Sequence, residues 1–222
     1  NILVALADKG APFVLCASNH NAVGMLWPIE GNFQQAKRMD AQIAASKPQL
    51  KQLWASVVKA KLAQQAAVLA SLGLPCAPLT ALLRKVRSGD AENIEAQGAR
   101  RYWSLLFGND FRRDRDANGL NSCLNYGYTV YRAAMARAVI AAGLHPSIGI
   151  HHSNEGNAMR LVDDLMEPFR PIVDWAIWQL ALGNQDCEIN SATKRHIVHT
   201  LYNDLISTTG RTLVMVCMQR LA

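Results

Sequence analysis

Hydrophobic positions change their spacing near residue 30. Before it, short runs of branched and apolar residues at 2–7, 13–17 and 23–27 are broken by Asp8-Lys9-Gly10 and by Asn19-His20-Asn21. That is turn chemistry between strands, and it predicts two or three of them. Residues 28–32 read as a linker. From Phe33 onward apolar residues recur at i, i+3 and i+4, the spacing of amphipathic helices. Ser46-Lys47-Pro48 opens one such helix with a cap and a first-turn proline. Leu50, Leu53, Trp54, Val57, Val58, Leu62 and Ala66 carry it to about Leu72, and Gly73 closes it. Further helices are expected over 75–86, 91–107 and 121–142, with a charged loop at 108–119, and two more over 189–207 and 208–219. The fold class is mainly α: residues 1–30 as the remnant of a small N-terminal β domain with its linker, then a large helical domain over 31–222.

Most of the polar chemistry falls in residues 146–174. A short apolar run, Ile148-Gly149-Ile150, ends on His151 and His152, and a polar break with Ser153, Asn154, Gly156 and Asn157 follows. Leu161, Leu165, Met166 and Phe169 then recur at helical spacing. On that helix Asp164 and Glu167 stand three residues apart, so both carboxylates project from one face. Two readings fit this spacing. One is an open site for a divalent cation, completed by the upstream histidine; the other is a capped surface helix whose early acids favour the dipole. Pro168 lacks an N–H and should loosen the helix at Asp164, four residues earlier, either aiming both acids or simply kinking the chain.

Composition narrows the class. At 222 residues, half of them hydrophobic and 18% charged, the chain suits one or two globular domains with a sizeable core. No apolar run reaches the roughly 18 residues of a membrane span, and Asn1-Ile2-Leu3-Val4 carries no secretory signal. Opening without Met inside a strand-like run, the chain reads as a piece whose N-terminus is missing. Cys16, Cys76, Cys123, Cys187 and Cys217 are scattered without a CxxC pair, which points to reduced thiols packed as small hydrophobes in a cytoplasmic protein. A net charge of +6 and a pI near 9.2 admit a polyanionic partner such as nucleic acid. His196 and His199 have no carboxylate at HExxH spacing and read as exposed helix residues.

Four words of the sequence, in order, carry a resemblance. They are Ile94-Glu95-Ala96-Gln97-Gly98-Ala99-Arg100-Arg101-Tyr102-Trp103, the NSCLNYGYTVYR run at 121–132, Gly149-Ile150-His151-His152, and Asp163-Asp164-Leu165-Met166-Glu167-Pro168-Phe169-Arg170-Pro171. Together they resemble the CRISPR-associated integrase, the Cas-one family, and most of all its members from type II systems, which use a single large effector nuclease. The resemblance implies a small β domain followed by a helical catalytic domain. It implies metal-dependent phosphodiester chemistry that inserts short DNA segments into the CRISPR array, performed by dimers bridged by the small Cas-two protein. Residue by residue, it puts the catalytic metal ligands on Glu95, His152 and Glu167, with Asp164 as a supporting carboxylate. Two carboxylates and an imidazole suit Mg²⁺ or Mn²⁺ and leave positions open for water, hydroxyl and phosphate oxygens.

Double-stranded DNA, as spacer precursor and as repeat array, is the expected polymer partner. Arg101 is the basic residue singled out as a DNA contact, with Tyr128 and Asn125 lining the site from the NYGY helix. Core packing is the alternative for at least one tyrosine. A different function class also fits the chain, a non-catalytic helical DNA-binding or scaffold protein of the same complex.

Overall fold

The computed structural model describes residues 1–181, 187–207 and 210–222. The chain starts with a helix, α1 (Ile2–Asp8), where the run of branched residues predicts a strand. Asn1 decides this locally: its side-chain oxygen accepts from the Leu3 N–H at 3.0 Å, and Leu3, Ala5, Leu6 and Ala7 are strong helix formers. The next two runs do pair. β1 (Phe13–Cys16) and β2 (Ala22–Leu26) form an antiparallel hairpin, Phe13 opposite Leu26 and Leu15 opposite Gly24, with a bulge before Cys16.

Helices then follow as the spacing predicts: α2 (Gln35–Ala44), α3 (Lys47–Ser71), α4 (Ala77–Leu83), α5 (Ile94–Phe107) and α6 (Leu120–Ala141). The central stretch folds into α7 (Arg160–Met166), a single 3₁₀ turn (Glu167–Phe169) and α8 (Arg170–Ala181). Pro168 lies inside that turn, where its missing N–H withdraws the bond an α-helix would need. α9 (Ser191–His199) continues the helical pattern. The end of the chain differs from the expectation of two helices. β3 (Asp204–Ser207) and β4 (Gly210–Leu213) form a second hairpin before α10 (Val214–Leu221). Gly210 at φ +115° supplies a backbone conformation that L side chains rarely adopt. Thr208, where the last helix was expected to begin, lies outside the described residues.

The chain divides into two compact units. The first comprises Asn1–Lys47, Thr129–Met166 and Leu201–Ala222, so the residues expected to form a β remnant share a unit with helical segments. Its buried side chains include Met135, Val139 and Ile140 of α6, Leu161, Val162 and Leu165 of α7, and Val214 and Met218 of α10. Within this unit, α2 and the residues before it close the C-terminus of α6. Asn32 Nδ2 donates to the Ala141 carbonyl at 2.9 Å, and Arg38 Nη1 donates to that of Ala142. These side chains satisfy carbonyls that a helix end leaves without partners.

The second unit comprises Pro48–Tyr128 and Glu167–Thr200. Its core is built by Trp54, Val58, Leu62 and Leu69 of α3, Leu79 and Leu82 of α4, Tyr102 of α5, Leu124 of α6 and Val173 and Ile177 of α8. Cys123 and Cys187 are buried here with their sulfurs 2.7 Å apart, both free thiols. Cys16, by contrast, is exposed rather than packed in a core, and Cys76 and Cys217 are half-buried. Among the described residues no helix is long and apolar enough to cross a membrane.

Candidate functional site

In the second unit the site is built outward from the start of α5. Asp90 is buried, and its two carboxylate oxygens accept from the backbone N–H groups of Ile94 and Glu95, each at 2.9 Å. An acid capping a helix N-terminus satisfies donors that have no partner within the helix, and here it fixes the turn from which Glu95 projects. One turn later Gly98 meets α3. A Cβ at that position would stand 2.3 Å from Leu62 Cδ2, so glycine is what lets α3 and α5 approach this closely. That approach brings Lys61, one residue before Leu62, to Glu95: Lys61 Nζ contacts Glu95 Oε1 and donates to Glu167 Oε2 at 2.6 Å.

Glu167 opens the 3₁₀ turn and is 8% exposed. Its other oxygen accepts from Arg170 Nε at 2.7 Å. Burial alone would raise its pKa, but the Arg170 guanidinium and the Lys61 ammonium outweigh burial and hold the carboxyl down at about 2. For Lys61, burial disfavours the charged form, and Glu167 and Glu95 overturn that and raise its pKa. The arrangement keeps Glu167 ionised and sets both carboxylates against one ammonium, with two cations beside the pair.

A further layer supports Arg170. Its guanidinium lies 4.6 Å from the centroid of the Tyr128 ring, a cation–π distance. The Tyr128 hydroxyl donates to Asp174 Oδ1 at 2.5 Å. Burial pushes the Asp174 carboxyl up to about 7 in spite of that bond. The buried Tyr102 hydroxyl feels the Asp174 charge without making a well-formed hydrogen bond to it. Tyr128, expected as a DNA contact, is therefore 8% exposed and engaged inside the unit. Asn125 fastens the polar loop before α6: Arg113 Nη2 donates to its Oδ1 at 2.6 Å, and its Nδ2 donates to the Arg115 carbonyl at 2.7 Å. Arg101 stands exposed on α5.

In the first unit a second arrangement surrounds Asp164, which is fully buried. Its Oδ2 accepts from the N–H groups of Ile150 at 2.6 Å and His151 at 3.0 Å, while Oδ1 accepts from the His152 N–H at 3.2 Å and faces His152 Nδ1 at 2.6 Å. The strap 149–152 is thus wrapped around one carboxylate. Gly149 is required there, because a Cβ would meet the His152 carbonyl at 2.8 Å, Arg160 Cβ at 2.9 Å and Asp164 Oδ2 at 3.1 Å. A carboxylate at Nδ1 favours the tautomer with its proton on Nδ1, which puts the lone pair of His152 on Nε2, the form a metal-ligating histidine needs. Asp164 accordingly acts as an anchor for the strap. Alongside it, Asp163 is held bidentately by Arg132 at 2.6 and 3.0 Å and by Asn157 Nδ2 at 2.7 Å.

So Glu95 and Glu167 meet at one ammonium in the second unit, and His152 and Asp164 meet each other in the first. Among the described residues no group of three or more His, Cys, Asp or Glu side chains is assembled around a common point. The two glutamates nevertheless fit a hard divalent ion in donor chemistry. They are oxygen donors, and they already converge on a cation. Sequence reasoning missed Lys61, Arg170, Asp90 and Asp174. Lys61 had a signal: it falls in the apolar stripe of α3, at i+7 from Trp54 and i+3 from Val58, where a solvated lysine has no place. Asp90 and Asp174 had none beyond ordinary helix chemistry.

Residues 1–195 match the family model described as CRISPR associated protein Cas1. A CRISPR-associated endonuclease Cas1 from Neisseria meningitidis serogroup C (strain 8013) is 38% identical over 204 residues, covering 90% of this chain and 67% of that relative. Among solved structures, a casposase bound to integration product superposes with a TM-score of 0.76 at 22% identity, over 98% of this chain and 71% of that one. A partial Cas6-RT-Cas1–Cas2 complex gives 0.61 at 17% identity, over 95% of this chain and 67% of that one. At these identities the structural likeness is one of fold.

Proposed function

Because the chain belongs to the Cas1 family of CRISPR-associated proteins, we propose that it is a divalent-metal-dependent DNA endonuclease and integrase of CRISPR adaptation. Its substrates are short spacer duplexes with free 3′-hydroxyls and the repeat array, and it acts as a homodimer with a small Cas2 partner. The convergence of Glu95 and Glu167 on one cation carries this reading, since both lie in the words that mark the family. The neighbouring folds of a casposase bound to integration product and of a Cas1–Cas2 assembly support it.

Joining is a transesterification. The spacer 3′-oxygen forms a bond to phosphorus, the target strand's P–O3′ bond breaks, and the departing 3′-oxygen takes up a proton, so the number of phosphodiester bonds is conserved. Negative charge gathers on the phosphoryl oxygens in the transition state. Mg²⁺ or Mn²⁺, when bound, neutralises that charge and lowers the pKa of the attacking hydroxyl. Glu95 and Glu167 would hold such an ion through their carboxylates, and His152, held in its tautomer by Asp164, would offer an imidazole. Arg170 keeps Glu167 oriented by holding the oxygen that Lys61 does not. Arg101, exposed on α5, contacts the DNA backbone.

Strand transfer tests this reading. Labelled short duplexes are mixed with supercoiled plasmid carrying a repeat array, the partner protein and Mg²⁺ or Mn²⁺. Joined product is expected, abolished by chelation and reduced at least about 100-fold by Glu95→Ala or His152→Ala. Joining that survives either substitution would falsify the proposed ligand set. Salt-sensitive DNA binding with no joining under any condition favours the non-catalytic scaffold instead.

A further inference from the structure

Lys61 is 8% exposed, on the core-facing stripe of α3. A buried lysine is rare without a partner, and this one has two carboxylates. Of the four oxygens on Glu95 and Glu167, one from each acid is held by Lys61 Nζ, and Arg170 Nε holds the second oxygen of Glu167. Formal charge at the site therefore sums to zero: two carboxylates, one ammonium and one guanidinium. Two carboxylates brought to a common point repel unless a cation stands between them, and Lys61 Nζ stands there. An entering divalent ion needs oxygens that Lys61 already engages.

We propose that Lys61 is the internal counter-cation of the Glu95–Glu167 pair: it holds the two carboxylates together in the metal-free protein, and a divalent ion gains them in competition with it. This inference rests on the two glutamates being metal ligands. It gives Lys61 a positioning role. The lysine preforms the carboxylate pair, and it sets how much metal is needed to fill the site.

The test is Mn²⁺ binding followed by the paramagnetic resonance of the free ion, together with thermal melts with and without Mn²⁺. The proteins compared are the parent, Lys61→Met, Lys61→Gln and the double variant Glu95→Gln/Glu167→Gln. Lys61→Met is expected to bind Mn²⁺ about tenfold tighter or more, since it removes a hydrogen-bonded competitor. It is also expected to melt below the parent without Mn²⁺ and to recover as Mn²⁺ is added, because the metal substitutes for the ammonium. Lys61→Gln, which retains a donor toward the carboxylates, should follow in the same direction. Unchanged or weaker Mn²⁺ binding in Lys61→Met, with binding lost in the double variant, overturns the inference and leaves the glutamates as ligands. Undiminished binding in the double variant overturns both. If both Lys61 variants stay unfolded even with Mn²⁺ present, the metal does not replace the lysine and the inference is likewise overturned.

Discussion

Glu167 and Asp174 lie seven residues apart in one unit, and their environments drive them in opposite directions. Burial raises both carboxyls. At Glu167 two adjacent cations outweigh it and hold the group at about 2. At Asp174 burial prevails over the Tyr128 hydroxyl and the charges of Arg170 and Lys61, and the group moves up to about 7 from an ordinary 3.8. A carboxyl raised on folding binds its proton more tightly in the folded state. Its contribution to stability is fully present below the unfolded value and is lost as pH rises through 7. Asp174→Asn stays neutral throughout. Relative to that variant, the parent should lose stability between pH 4 and 8, by at most about 4 kcal/mol. Melting temperatures of the two proteins across that range measure the effect, and parallel curves would show that Asp174 titrates normally.

At the scale of elements, the site depends on two glycines that no side chain can replace without displacement. Gly98 sets the approach of α3 to α5, with Leu62 fully buried against it. Gly98→Ala should destabilise the protein by about 1–3 kcal/mol through overpacking and should weaken Mn²⁺ binding by moving Glu95 away from Glu167. Denaturant unfolding and metal titration measure the two effects, and a Gly98→Ala protein that keeps both parental values contradicts this seam. Gly149→Ala should release the strap from Asp164, seen as a changed His152 imidazole resonance and loss of joining. An unaltered resonance would place the strap elsewhere. Much of this level was legible in the sequence. The apolar stripe of α3, the cap-and-proline start before it and the hairpin at β1 and β2 all follow from periodicity and turn residues. What escaped was decided by single atoms. Asn1 capping turned a strand-like run into α1. At the end of the chain, the hairpin of Leu205-Ile206 against Arg211-Thr212 competes with a helical pattern that fits the same letters. Lys61 was readable only as a misfit, one charge in a buried stripe, because its partners come from α5 and from Glu167, far along the chain.

At the scale of the whole molecule, the proposed DNA interface would draw on the +6 charge and the exposed Arg101 through phosphate contacts. Duplex binding should weaken steeply with salt, each neutralised phosphate adding about −0.9 to the slope of log affinity against log salt. Arg101→Ala should reduce that slope by about 1 without altering sequence preference. Fluorescence anisotropy with unrelated duplexes from low to moderate salt tests this, and a slope that Arg101→Ala leaves unchanged removes it from the interface. The resemblance in the sequence extended furthest at this scale, since four short words identified the family before any fold was in view. They did not reveal that Glu95 and Glu167 arrive at the same place already neutralised. The most direct measurement is therefore anomalous diffraction from crystals of the protein grown with Mn²⁺. A Mn²⁺ peak coordinated by Glu95 and Glu167, with Lys61 Nζ displaced from at least one of their oxygens, is the predicted result. Bound Mn²⁺ elsewhere, with the Lys61 ion pairs intact and both glutamates unliganded, would contradict it.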